Sequence, residues 1–438
     1  MLPRLTVTQW LVCIIASIGF AFDTYEILVQ PLIVLPSLTA MGGLKPGTSE
    51  YNNWVSLLGY VPPLVGGALG LIGGYLTDLL GRRRVLSYSI LLYAFSAVAA
   101  GMATSKEELL LFRVTTFIGI CVEYVAAVAW LAELFDEPKQ REAVLGYTQA
   151  FASFGGVLVT AANYICVTYA TSFPAIQGQH AAWRYTLISG LLPAIPLILI
   201  RPFLPESPEW QRKKEAGTLK RPSLTEIFQP RWSRATWISM LLFASAYGAA
   251  QGTLQQGPRL TPGLPQAASL SPLEKQQAAS SIQGAQEFGG LTGRFVMAAV
   301  AVAVVSRRKA LRLFQIPGLI IAPAVFFLAP VLPLNVLRAG IFIAGAFTIG
   351  QLSLLGNYIP RLYPVHLRGT GESWGVNVGG RMIGAGFVAV TAQLSGFMPG
   401  TPSVQTAYAA ATVGVIVYLM GFIAAFWMPE PTAENLAE

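Results

Sequence analysis

The chain has 438 residues, 54% of them hydrophobic and only 11% charged, with a formal net charge of +8. A soluble chain of this size carries about 25% charged residues. The deficit here extends over the whole length, so the chain reads as a polytopic membrane protein rather than a soluble domain with one anchor. Its three cysteines, Cys13, Cys121 and Cys166, lie scattered in apolar runs, and its two histidines, His180 and His366, lie in loops. That distribution offers no disulfide framework and no metal-ligand spacing. No cofactor is expected, and no nucleophile constellation suggests an enzyme.

A membrane-spanning helix needs about 20 apolar residues. Such runs fall near 9–34, 53–80, 85–104, 108–134, 143–169 and 183–203, and then near 233–256, 279–305, 310–331, 334–360, 369–397 and 405–429. The first continues past Asp23 without a small-residue cleavage site, which favours a span over a signal peptide. A polar, proline-bearing stretch, "PESPEWQRKKEAGTLKRPSLTEIFQPRWSR", separates the sixth run from the seventh. The expected fold is an all-α membrane protein with twelve transmembrane helices in two pseudo-symmetric six-helix bundles. The expected boundaries are 1–204 for the first bundle, 205–232 for a cytoplasmic linker and 233–438 for the second.

Basic residues set the orientation, because positively charged loops stay in the cytoplasm. With both termini inside, only Lys45, Lys106, Arg184, Arg259, Lys275 and Arg338 fall in loops on the outer side. Arg113, Arg294 and Arg381 fall within spans, and the remaining 20 of the 29 basic residues lie on the cytoplasmic side. The positive balance is therefore a topology signal, and no nucleic-acid partner is expected. The compact chain without targeting extensions suggests a bacterial inner membrane and a monomer.

"GGYLTDLLGRRRVL" (73–86) resembles the signature loop between the second and third helices of the major facilitator superfamily, with Gly74, Leu76, Asp78, Gly81, Arg82 and Arg83 in register. "LPESPEW" (204–210) resembles the segment after the sixth helix of sugar and metabolite porters. "RGTGES" and "GGRMIG" (368–373 and 379–384) resemble the family's eleventh helix. "GICVEYVAAVAWLAELF" (119–135) is similar to the metabolite–proton symporter branch, and "FDTYE" to the acidic first helix of the aromatic-acid–proton symporters. The resemblance implies a conformational latch built from Asp78, Gly81, Arg82, Glu133, Arg141 and Arg368. It also pairs the second helix, with Gly66, Gly70 and Gly74, against the eleventh, with Gly375, Gly379 and Gly380. Two positions depart from the pattern. Arg361 stands where the family usually has an acid, for which Glu372 is a candidate replacement, and "SRRKAL" (306–311) lacks the Gly and Asp of the first loop.

Charges inside spans point to an ion or substrate pathway. Asp23, Glu26 and Glu123 can exchange a proton, whereas arginine stays charged at any working pH. The three acids are therefore the expected proton-coupling groups. Arg294 and Arg381, with Tyr25, Tyr124 and Gln30, are the expected substrate-binding groups, because a guanidinium binds a carboxylate through two parallel hydrogen bonds. The expected function is proton-coupled symport of a small organic anion by alternating access. The alternatives are a proton-coupled sugar or polyol porter and proton-coupled efflux of cationic drugs.

Overall fold

Side-chain caps mark where many of the helices begin. The computed structural model describes residues 5–135, 140, 144, 148, 151–217, 224–304, 306–364 and 367–430. Helix α1 runs Val7–Gly42 and opens on a capping box: Gln9 N donates to Thr6 Oγ1 (3.2 Å) and Thr6 N donates to Gln9 Oε1 (3.0 Å). Thr48 caps α2 (Ser49–Leu80), and Ser105 caps α4 (Lys106–Leu134), which follows α3 (Arg82–Met102). Next come α5 (Ala152–Thr168) and α6 (Ala182–Phe203). Helix α7 begins as Pro230–Tyr247, passes through a π-helical stretch at Gly248–Thr253 and ends in the turn Gly257–Leu260. Ser271 and Glu274 form a second capping box for α8 (Pro272–Ala303), and Ser306 caps α9 (Arg307–Leu328). Helix α10 is Leu334–Tyr358. Helix α11 has two α-helical pieces, Arg368–Ser373 and Phe387–Ser395, on either side of a π-helical stretch, Trp374–Gly384. Helix α12 is Pro402–Ala425.

Among the described residues, eight of these helices are long and apolar enough to cross a membrane: α1–α4, α6, α9, α10 and α12. Of the four others, α5 is 17 residues long as described, and the remaining three have identifiable causes. Helices α7 and α11 contain π-helical stretches, which often mark functional sites. Helix α8 buries Gln283, Gln286 and Glu287. A hydropathy window penalises polar residues even where neighbouring helices, rather than lipid, surround them.

The first bundle packs around one continuous apolar core, which includes Phe22, Tyr93, Ile120 and Trp130. The second bundle has two cores. One includes Phe243, Phe314 and Tyr358, and the other Leu254, Phe326 and Val413. The bundles meet at α2 and α11. On α2, Gly59 faces Val388, Gly67 faces Met382, and Gly70 faces Asn377. The expected pairing of α2 with α11 is found, and Gly70 takes part in it, but the other glycines are placed differently: Gly375, Gly379 and Gly380 face Phe243, Met240 and Tyr247 of α7, Gly66 faces Phe117 of α4, and the surroundings of Gly74 lie outside the described residues. Glycine admits close approach on one side of a helix only, and the α11 side is occupied by α7.

A repeat that the sequence reading did not recognise lies at the end bearing residues 82–84 and 307–309, here called the basic end. After α6, the Glu206 carboxylate accepts from Arg83 N at 3.2 Å and caps α3. After α12, the Glu430 carboxylate accepts from Arg307 N (3.0 Å) and Arg308 N (3.1 Å) and caps α9. The preceding prolines match as well. Trp130 Nε1 donates to Pro205 O (3.2 Å), and Tyr358 Oη donates to Pro429 O (2.8 Å). "LPES" and "MPEP" (204–207 and 428–431) are thus the same device in the two halves. Gly81 completes the first copy: its φ of +93° favours glycine, and a Cβ there would crowd Glu206. An acid at a helix N-terminus satisfies orphan N–H groups and complements the helix dipole. Glu206→Ala and Glu430→Ala are each expected to cost about 1–2 kcal/mol, additively because the caps lie in different halves. Thermal unfolding of the purified protein measures this, and unchanged midpoints would refute the capping role.

Candidate functional site

Two fully buried ion pairs frame the centre of the first bundle. Arg113 on α4, 0% exposed, donates to Glu26 Oε2 (3.2 Å) and to the Glu26 carbonyl (2.6 Å) on α1. Arg201, in the last turns of α6, pairs with Glu123 of α4 at 2.5 Å and donates to Leu86 O (3.4 Å). Removing one partner of a buried pair leaves an uncompensated charge and typically costs about 3–5 kcal/mol, so these pairs tie α1, α4 and α6 together. Glycine makes the approach possible: a Cβ on Gly19 would overlap the Arg201 guanidinium, and one on Gly190 would overlap Glu26 Oε1. Arg201 was counted among the cytoplasmic basic residues from the sequence. It is 2% exposed.

Asp23 lies on the same helix as Glu26 but has a different environment. It is 4% exposed, and neither carboxylate oxygen has a hydrogen-bond partner among the described residues. Glu123, Arg381, Arg201 and Glu26 lie within its electrostatic reach. Across the seam, Arg381 Nη1 donates to Asn377 Oδ1 (2.8 Å), and the guanidinium sits 5.5 Å from the centroid of the Tyr124 ring. Tyr124 Oη donates to Glu372 Oε1 (3.2 Å), and Phe20 meets the Tyr124 ring edge-on. Arg294 is half-buried on α8, with Tyr247, Glu287 and Tyr124 within electrostatic reach. Glu287 Oε1 accepts from Gln283 (2.8 Å) and Gln286 (2.9 Å). The structure thus gathers Asp23, Tyr124, Arg294, Arg381 and Glu372 where the two bundles meet.

Other expected site residues are placed differently. The Tyr25 hydroxyl shares a hydrogen bond with Ser189 Oγ (2.7 Å), inside the first bundle against α6. Gln30 donates to Leu58 O (3.1 Å) and lines a cavity between the bundles with Phe117, Gln251 and Gln255. Arg259, expected in an outer loop, lines that cavity too, because α7 continues past the end of its apolar run. Glu372, the candidate replacement for the missing acid, accepts from Tyr124, and the side chain of Arg361 lies outside the described residues. Glu430 provides the acid at the basic end.

Of the expected latch, Arg82 forms a two-pronged pair with Glu133, at 2.8 Å through Nε and 2.7 Å through Nη2. This pair joins α3 to α4 within one bundle. Arg368 Nε donates to the Tyr363 carbonyl (3.4 Å) in the second bundle. Arg141 and the side chain of Asp78 lie outside the described residues. Glu123→Met alone is expected to leave Arg201 buried without its carboxylate and cost about 3–5 kcal/mol. Replacing Glu123 and Arg201 together by methionine is expected to cost far less. Thermal unfolding of the two purified variants checks both statements, and equal losses would contradict them.

The comparisons with known proteins agree with this architecture. The family model described as Major Facilitator Superfamily matches residues 10–375. The chain is 27% identical over 428 residues to the probable 4-methylmuconolactone transporter of Cupriavidus pinatubonensis, covering 96% of this chain and 91% of that one. It is 28% identical over 418 residues to the 4-hydroxybenzoate transporter PcaK of Pseudomonas putida, covering 86% and 88%. The crystal structure of D-xylose-proton symporter shares the fold, with a TM-score of 0.73 at 16% identity over 96% of this chain and 98% of that one. With a family match over most of its length and the shared helical architecture, this chain belongs to the Major Facilitator Superfamily and is a membrane transporter rather than an enzyme.

Proposed function

We propose that the protein is a proton-coupled symporter of a small organic anion, a carboxylate-type metabolite. In this reading it works as a monomer in a bacterial inner membrane, with both termini in the cytoplasm. The halves 1–204 and 233–438 rock about the seam, and residues 205–232 link them. The observation that carries the reading is the contrast among the three acids. Glu26 and Glu123 each form an ion pair with an arginine of the first bundle, whereas Asp23 forms none among the described residues and has Arg381 of the other bundle within electrostatic reach. The coupling role therefore narrows from three acids to Asp23, and Glu26 and Glu123 are framework groups.

The proposed cycle follows from charge. With Asp23 ionised, its field holds Arg381 across the seam. A proton taken up by Asp23 removes that attraction, and Arg381 is then available to a substrate carboxylate, which it binds through paired, charge-assisted hydrogen bonds. Loaded with both proton and substrate, the centre is close to neutral and the bundles can exchange orientation with little desolvation penalty. The Tyr124 ring beneath Arg381, with Phe20 beside it, offers a flat apolar surface to a ring-bearing acid. The relatives named as carriers of 4-methylmuconolactone and 4-hydroxybenzoate support this class.

A sugar or polyol is the second reading, favoured by the amides of Gln30, Gln251, Gln255 and Gln256 around the cavity. It leaves Arg381 without a counter-charge once Asp23 is protonated. Cationic drugs are disfavoured by the same arginine.

In proteoliposomes with an imposed proton gradient, Asp23→Asn is expected to abolish accumulation against a gradient while sparing exchange. If Asp23→Asn still accumulates substrate, Asp23 is not the coupling group. Thermal stabilisation of the wild type across carboxylates, sugars and cations at two pH values tests the substrate class. Stabilisation by sugars or cations alone would overturn the anion reading.

A further inference from the structure

Arg259 occupies the last turn of α7 and is 7% exposed. None of its three guanidinium nitrogens has a hydrogen-bond partner among the described residues. Other buried arginines differ in this respect. Arg113 and Arg201 have carboxylates, Arg184 has the carbonyls of Gly101 (3.0 Å) and Ala103 (2.8 Å), and Arg381 has Asn377. A guanidinium withdrawn from water without hydrogen bonds carries a large desolvation penalty, so a cavity built around one is built for an acceptor.

The surroundings specify which acceptor. Arg259 and Gln30 line the same cavity between the bundles, walled by Leu58, Phe117 and Val388. Tyr51, 3% exposed, also has an unpartnered hydroxyl and lies within electrostatic reach of Arg259. The guanidinium supplies donors and forms no ion pair with a carboxylate among the described residues, the phenol can donate, and Gln30 Oε1, unpartnered as well, supplies an acceptor. A carboxylate for Arg259 and a hydroxyl for Gln30 suit this lining, and the cavity, about 40 Å³ in this structure, has to widen to admit the ligand's apolar body. Arg259 also stands apart from the central site. Tyr247, which has both Arg381 and Arg294 within reach, precedes Arg259 by twelve residues on α7, about 18 Å at helical rise. Arg259 therefore lies about three turns farther along α7 than Tyr247.

We propose that Arg259, with Tyr51, forms a second carboxylate-binding subsite towards the end opposite the basic loops, where the substrate anion is held before it reaches Arg381. This inference rests on the organic-anion reading above and adds an earlier station on the same pathway. Arginine suits it because its planar fork pairs with both carboxylate oxygens and its charge does not depend on pH.

The test is calorimetric titration of purified protein with 4-hydroxybenzoate or cis,cis-muconate, and with the neutral analogue 4-hydroxybenzamide. Arg259→Met keeps the length of the side chain and removes a buried, unpaired charge, so the ligand-free protein is expected to stay at least as stable as the wild type. The expected result is two binding events for the acid in the wild type, of which one weakens about 10–100-fold in Arg259→Met, the range for a lost charged hydrogen bond, while the other and binding of the amide are unchanged. Arg259→Lys, which keeps the charge and loses the fork, is expected to fall between the two and serves if the methionine variant does not purify. An unchanged Kd for the acid, or equal weakening of acid and amide, overturns the proposal, the second by marking a structural role. Competition by chloride or phosphate as strong as that by the organic acid overturns it as well, because the subsite would then hold an inorganic ion. If the wild type binds neither carboxylate but binds xylose, the organic-anion reading itself has failed. If the wild type and Arg259→Met bind the acid equally, only this inference has failed.

Discussion

A charge inside a membrane protein must find a partner, and most of this structure follows from how the partners are assigned. Helix α1 brings two acids, Asp23 and Glu26, into the bundle, and α4 brings Arg113, Glu123 and Tyr124. Arg113 neutralises Glu26, and Arg201 from α6 neutralises Glu123. Those pairs consume both arginines buried at the centre of the first bundle and tie three of its helices into one wall. Asp23 remains, and of the two cations within its electrostatic reach, Arg201 is paired with Glu123 and Arg381 belongs to the other bundle. Under the proposed symport cycle, in which two halves rock, Asp23 with Arg381 is the charge relation left to cross between them once the framework pairs are made.

The second bundle is built on a different balance. It has two separate apolar cores, two helices with π-helical stretches and a helix, α8, that buries amides and an acid. A π-helical stretch changes the angular spacing of side chains, and in α11 the stretch carries Asn377 and Arg381 towards α2 and Tyr124 while the glycines take the side facing α7. The first bundle is a framework in which Asp23 is left without an ion-pair partner among the described residues. The second supplies arginines whose carboxylate partners are few. The asymmetry gives a chemical direction to a fold that is pseudo-symmetric in its helices, down to the matching glutamate caps at Glu206 and Glu430.

Some of the site was visible in the linear chain and some was not. The apolar runs, the basic loops and the motif at 73–86 led to the twelve-helix architecture, and acids within apolar runs pointed to Asp23, Glu26 and Glu123. Arg201 was missed because it stands at the end of its run, where a basic residue looks like a topology charge. Arg259 was missed for a similar reason: α7 continues beyond its apolar stretch, with glutamines and glycines, into a turn that hydropathy assigns to a loop. Glu430 lay in a tail with no visible partner, although its Pro-Glu pair repeats that of Pro205 and Glu206.

Composition and spacing decide how many times the chain crosses the bilayer, because each crossing is a local matter of about 20 apolar residues. Basic loops carry the orientation for the same local reason. Which acid pairs with which arginine is not local. Asp23 and Glu26 are three residues apart in similar sequence surroundings, yet one ends in an ion pair and the other faces the seam. That outcome depends on Arg113 and Arg201, which arrive from distant parts of the chain, and on Gly19 and Gly190, which let them come close enough. Coulomb interactions between buried groups are decided by distances of a few ångströms, and only the packed bundle sets those.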